Sequence, residues 1–253
     1  MSYTNPILTA GVASNQSIYE TVTDARHDVG TRGCTSDGRV FRYAENRSTQ
    51  IEVGLLVASP AISADYDDLA TNTAAVGDTS VTVTPVGSAT YAANELVGGF
   101  LTINSGTTGA GNQYRISGHV AVAAATATAI ECEAIRVAFN ADTTATVVPN
   151  AYGGVTVAPT GVATVVGASQ IVIPVGTDAD PVYSWVQTWG PATVAAGAAG
   201  DVIGHTLVKD TTTAGEALGF VDAAADVTQI IGTNRLGVTI SADYTPIFLT
   251  IAP

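Results

Sequence analysis

Residues 183–191 read YSWVQTWGP and hold both tryptophans of the 253-residue chain, Trp185 and Trp189. Pro181 on one side and Gly190-Pro191 on the other leave too little room for a helix, so the segment reads as a strand. Alternation then sets Tyr183, Trp185, Gln187 and Trp189 on one face. Val182, Ser184, Val186 and Thr188 take the other, with same-face neighbours about 7 Å apart. Such an aromatic ridge has three uses: a platform for a sugar or a base, a piece of core, or one wall of a contact with another copy. Ala and Val dominate the remaining apolar residues, beside one Met and five Phe. A chain so short of large side chains is expected to spend these in the core or at a subunit interface.

Outward from this strand the pattern stays β. β-branched runs between Gly, Asn, Asp and Pro clusters mark strands in 79–86, 98–104, 112–120, 145–149, 154–159, 169–175, 183–189 and 246–252. The alanine-rich 121–129 carries enough Thr to read as strand or loop. Near the start, TSDGRVFRYAE is a turn at Asp37-Gly38 feeding a strand with Phe41 and Tyr43 on one face. The expected fold is all-β. An extended N-terminal arm with its first hairpin (1–65) precedes two small sandwich- or barrel-like domains, at 66–150 and 151–253. No convincing internal repeat appears.

Charge separates these regions. Charged residues are 12% of the chain, about half the usual share of about 25%, yet the formal net charge is −13. Residues 1–50 are balanced, with five acids against Arg26, Arg32, Arg39, Arg42 and Arg47. The rest sets 17 acids against Arg115, Arg136, Lys209 and Arg235. An acidic body with a single lysine is a poor nucleic-acid binder, because phosphate neutralisation needs clustered cations. The five N-terminal arginines are the local exception, and are candidates to meet an acidic protein surface from an arm that orders on its partner.

The residues point to no enzyme, cofactor or metal. His27, His119 and His205 lie far apart and in no metal-ligand spacing. No nucleophile elbow or zinc-protease motif is present. Asp65, Asp67 and Asp68 share a loop, but counting from Asp65 puts Ala70 and Val76 where a calcium loop of the EF-hand type needs Gly and Glu. A solvated acidic turn is the better reading, and Asp178 and Asp180 are the same case. The glycine-rich 103–113 lacks the lysine of a phosphate-binding loop. Cys34 and Cys132 read as free thiols. The start MSYTNPILTA has no basic region or long apolar run, and residues 51–62 are too short to span a bilayer. The expectation is a soluble product of a cytoplasm, with no membrane partner.

Five blocks resemble, in the same order, a family of tailed-phage virion proteins found mostly in environmental and marine phages. They are DGRVFRYAEN, GGFLTINSGTTGAGNQYRISGH, NAYGGVTVAPT, YSWVQTWGPATV and YTPIFLTIAP, spread over residues 37–253. Residues 185–201, WVQTWGPATVAAGAAGD, are similar to the small β domains of capsid decoration (cement) proteins, in which a W-x-Q-x-x-G strand precedes an A-G-D turn. The resemblance implies a structural protein on the capsid surface of a virion, bound to the major capsid protein and self-associated as a homotrimer, without catalytic residues. A receptor- or glycan-binding fibre module and a tail or neck component are the alternatives. The interface candidates are the five arginines with Tyr183, Trp185 and Trp189.

Overall fold

A computed structural model describes residues 5–8, 14–197, 203–220, 229–236 and 243–253. Strands are nearly the only regular elements, joined by long irregular segments, without an α-helix among the described residues. No helix there is long and apolar enough to cross a membrane. Residues 1–59 and 154–253 make one compact unit, and residues 60–153, inserted between them, make a second. The three-part division expected from the sequence is corrected on this point. The first 59 residues are not a separate arm but part of the unit formed with the C-terminal hundred.

In chain order, the first unit begins with β1 (Ile7–Leu8), β2 (Arg32–Cys34), β3 (Val40–Asn46) and β4 (Leu56–Ala58). The inserted unit follows a 3-10 turn at Ala64–Tyr66 with β5 (Leu69–Ala70), β6 (Ser80–Val83), β7 (Phe100–Ser105), β8 (Gln113–His119), β9 (Thr128–Cys132) and β10 (Thr144–Val148). The first unit resumes with β11 (Thr156–Val157), β12 (Val165–Ala168), β13 (Val182–Ala195), β14 (Thr206–Lys209), β15 (Ala217–Gly219), β16 (Ile230–Asn234) and β17 (Tyr244–Thr250).

The inserted unit is a small barrel. Its antiparallel strands run β5-β10-β7-β8-β9-β6, and the two ends meet at a bridge between Thr71 and Val83. Asn72 completes the seam: its N–H donates to Thr82 O at 3.3 Å, and its Oδ1 accepts the Thr82 N–H at 2.7 Å. Closure leaves no long row of unpaired backbone groups as a template for aggregation. Alternation is clean: in β8 Tyr114 and Ile116 point in, while Gln113, Arg115 and Ser117 point out. The interior is filled by Tyr66, Leu69, Leu101, Ile103, Ile130, Phe139 and their neighbours. His119 is used here as a structural group. Its Nε2 accepts the Leu96 N–H at 2.9 Å, so its Nδ1 carries the proton and donates to Val120 O at 2.7 Å.

The first unit is built around β13. The sheet order is β1-β2-β3-β13-β17-β16-β14-β15, with β12 also pairing β13 and β4 pairing both β12 and β11. β3 pairs with β13 from Val182↔Asn46 to Trp189↔Val40, across more than a hundred residues of sequence. The larger core of this unit is made of small residues: Ala58, Ala158, Ala168, Ala192 and Ala217 pack with Leu207, Ile231, Ile247 and Leu249. A second cluster, Ile18, Phe41, Tyr43 and Trp185, holds the large side chains. Lys209, the single lysine, is almost fully buried. Its Nζ donates to the carbonyls of Pro159, Thr160, Gly161 and Asp210 at 2.7–3.3 Å, which pins the 159–161 loop to β14.

The expected strands at 79–86, 98–104, 112–120, 145–149, 154–159, 183–189 and 246–252 each overlap a real one. The run 169–175 does not. Ile173 forms only an isolated bridge to Ile51, Pro174 has no N–H to extend it, and Val172 and Val175 stay exposed. The neighbouring strand is β12, four residues earlier, fully buried and too short for alternation to betray.

Candidate interaction surface

β13 does not keep its two tryptophans together. Trp185 lies opposite Tyr43 and Gln187 opposite Phe41, but Trp189 lies opposite Val40, so Thr188 is an extra residue in the ladder. Such a bulge advances the alternation by one. Residues directly opposite one another share a sheet face, and Val40 and Phe41 point to different faces. Tyr183, Trp185 and Gln187 therefore share a face as expected, and the expected place of Trp189 beside them is corrected: it turns to the other side. Several bonds hold the bulge. Thr188 Oγ1 donates to Ala252 O at 2.7 Å, and the Gln187 amide donates to Trp189 O at 3.0 Å and Pro191 O at 2.7 Å. Gly190 sits at φ +92°, where a Cβ would stand 3.2 Å from Arg39 Cα; a side chain there would be both strained and crowded.

Trp185 is core, with 0% of its surface exposed. The segments before β2 cover it. Tyr43 meets it edge-on at 5.1 Å between centroids and His27 lies at 5.4 Å. Gly33 admits it closely: a Cβ would come 3.2 Å from the indole Cζ3 and 2.8 Å from Pro6 Cβ. Tyr43 OH donates to the buried Gln16 Oε1 at 2.8 Å. Ser14 Oγ accepts the Gln16 N–H at 3.0 Å and lies 2.8 Å from His27 Nε2. Burial first, and Arg26 second, hold the His27 pKa below its ordinary value, which favours the neutral ring beside Ser14. Tyr183 stacks on Tyr43 at 5.9 Å and donates to Glu45 Oε1 at 3.2 Å. Burial and the Glu45 carboxylate push its pKa up to about 12.

The five arginines do not form one patch. Arg26 pairs with Glu20 at 3.3 Å, Arg39 with Asp37 at 2.8 Å and Arg47 with Glu45 at 2.9 Å. Arg39 also lies over the Phe41 ring, 5.5 Å from its centroid. Arg32 and Arg42 are different. They face each other across β2 and β3, and each donates to a main-chain oxygen at 3.1 Å, Arg32 to Pro253 O and Arg42 to Gly30 O. Neither has an Asp or Glu carboxylate within ion-pair reach among the described residues.

The face to which Trp189 turns is the outer one. Register aligns Trp189 with Thr250, Pro191 with Phe248 and Thr193 with Pro246 across β13 and β17, and Thr233 of β16 with Phe248. Trp189 and Phe248 are half-buried and touch edge-to-face at 5.7 Å. Pro191, Thr193, Thr233, Pro246 and Thr250 are exposed, as is Tyr244 at the end of β17. The residues alternating with them, Ala192, Val194, Ile247 and Leu249, face the core. No charged residue occupies an outward position of β13, β17 or β16. Arg32 and Arg42 share this face through Val40, on one flank. On the other, exposed Arg235 follows β16 and its N–H donates to Pro246 O at 3.1 Å. The sequence reading missed Pro191, Thr193, Pro246, Phe248 and Arg235. The signal was present in residues 246–250, where Pro, Phe and Thr alternate with the buried Ile247 and Leu249.

Other sequence features are absorbed by the fold. The acidic loop is not simply solvated: Asp65 Oδ2 accepts the Ala89 N–H at 2.7 Å, Asp67 accepts from Thr146 and Asp68 from Thr144. Among the described residues no three His, Cys, Asp or Glu side chains come together to hold a metal ion. Cys34 and Cys132 are free thiols, and burial followed by the Glu133 charge pushes Cys132 up to about 11. The A-G-D turn, residues 199–201, lies outside the described residues. Comparison with protein-family models, with curated proteins and with solved structures finds no match to this chain.

Proposed function

We propose that the chain is a capsid decoration (cement) protein of a tailed phage, binding the outside of the shell and bridging capsid subunits. The observation that carries this reading is the outward face of β13 and β17, where aromatic and proline side chains gather without a carboxylate in a chain of net charge −13. An uncharged patch with half-buried aromatics has the make-up of a protein contact. The ordered resemblance to virion proteins gives the same direction. The chain's charge keeps copies apart before assembly, and each bound copy then stabilises the shell by mass action. A homotrimer at local three-fold positions of the lattice suits such a role.

The glycan-binding alternative loses its two-tryptophan platform, because Trp185 is enclosed. The test is binding to expanded empty shells of the cognate major capsid protein. Saturation at a stoichiometry that matches the lattice, with a raised shell melting temperature, is the expected result. Absence of binding rejects the proposal.

A further inference from the structure

We infer that His27 is a pH-sensitive latch: as a neutral ring it holds the segment before β2 closed over Trp185, and as an imidazolium it opens that cover while the sheet stays paired. The latch stands whether or not the chain decorates a capsid. The cover is residues 14–31, which contain no strand or helix. It reaches the sheet through the isolated bridge Val22↔Tyr183 and through bonds that converge on Tyr43. Tyr43 OH donates to Gln16 Oε1 at 2.8 Å and accepts the Arg26 N–H at 3.2 Å, and the Gly30 N–H donates to Tyr43 O at 2.7 Å. Beneath it β3 and β13 share a ladder of seven residue pairs. A segment held by scattered bonds opens at lower cost than a continuous ladder.

His27 touches both rings that the cover hides, Tyr43 edge-on at 5.2 Å and Trp185 at 5.4 Å. Its Nε2 also ties the two ends of the cover together, 2.8 Å from Ser14 Oγ, and Ser14 is buried. The surroundings disfavour a second proton on the ring. Burial is the largest cause; Arg26 repels an imidazolium, and exposed Asp28 attracts one more weakly. Glu20 is taken up by Arg26 at 3.3 Å. From β3 and β13 come the phenols of Tyr43 and Tyr183, both raised above the ordinary 10.0 first by burial and so neutral. Glu45 beyond them pairs with Arg47 at 2.9 Å. Residues 5–8 and 14–18, which pack on the same cluster, carry no charged side chain. Opening returns the ring to water, where its ordinary value is 6.5. The open form therefore holds the proton more tightly than the closed one. Closure is at full strength above about pH 6.5 and is lost as pH falls through the lower value of the closed ring.

The experiment uses the full chain carrying Trp189→Phe, so that Trp185 is the remaining indole. Its emission and its quenching by acrylamide are followed from about pH 8 to about pH 5, the range in which a histidine changes charge. Emission should move to the red and quencher access should rise several-fold, with the far-ultraviolet circular dichroism constant. His27→Gln, which takes no charge, should give one level of access at both ends of the range. Asp28→Asn, an exposed change that removes an attraction to the imidazolium, should enlarge the acid response. Access that stays flat in the chain with His27 overturns the inference. So does an equal rise in His27→Gln, which would assign the response to a carboxyl such as Glu216, held above its ordinary value by burial and by Asp210. A fall in intensity without a gain in access overturns it as well, because the ring then protonates in place against the indole. Circular dichroism lost in step with the gain in access marks unfolding of the sheet and rejects a local latch, as does an Asp28→Asn response no larger than that of the parent.

Discussion

Trp185 and Trp189 stand four residues apart and do different things. Trp185 has no exposed surface and fills a cluster of large side chains with Ile18, Phe41 and Tyr43. Truncating it to Ala leaves a cavity among Ile18, Phe41 and Tyr43 and should cost about 3–5 kcal/mol. Trp189 is half-buried against Phe248, and its loss should cost about 1 kcal/mol. Urea denaturation of the two variants checks this, and equal losses would refute the split. Tyr183 gives the pH dependence. With its pKa at about 12 in the fold and 10 as an ordinary phenol, the folded state holds a proton that the unfolded chain gives up. Its contribution is complete below pH 10 and is lost as pH rises from there to about 12. Tyrosinate absorbance should show a fraction of the nine tyrosines ionising near pH 12 in the folded protein; ionisation of all of them near pH 10 would contradict the buried stack.

At the scale of the element, the bulge at Thr188 decides how β13 is used. Before it, both faces are covered; after it, odd residues face out and even residues face the core. Gly190→Ala tests the turn of the strand. The substitution meets Arg39 Cα and needs φ near +92°, so a loss of about 1–3 kcal/mol is expected, with the barrel of residues 60–153 unaffected; a neutral effect would show that the bulge is not required. Strands were legible in the sequence where β-branched residues alternate between turn signals, as in β6, β8 and β17. The bulge was not, because no residue type marks it, and Thr188 looks like any other strand threonine. The outer face was missed for the same reason: with uninterrupted alternation Trp189 belongs beside Trp185. The run at 169–175 misled because apolar content alone does not distinguish a strand from a loop that buries only some of its apolar residues.

At the scale of the molecule, the N-terminal fifth is structural. Local composition made it look like an arm, but its β3 pairs with β13 and its earlier residues enclose Trp185, links that no local pattern reveals. Removing residues 1–50 should therefore unfold the first unit and red-shift its tryptophan emission, while residues 60–153, with a closed barrel and their own core, should still unfold cooperatively. A truncated chain with native emission would contradict this. The central proposal is that the Trp189 face, and not the enclosed Trp185, meets a capsid shell. Its most direct test is acrylamide quenching of single-tryptophan variants with and without expanded shells. In Trp185→Phe, the remaining Trp189 should shift to the blue and lose quencher access on binding, while in Trp189→Phe the emission of Trp185 should be protected throughout and unchanged. Binding that leaves Trp189 as accessible as before would contradict the account.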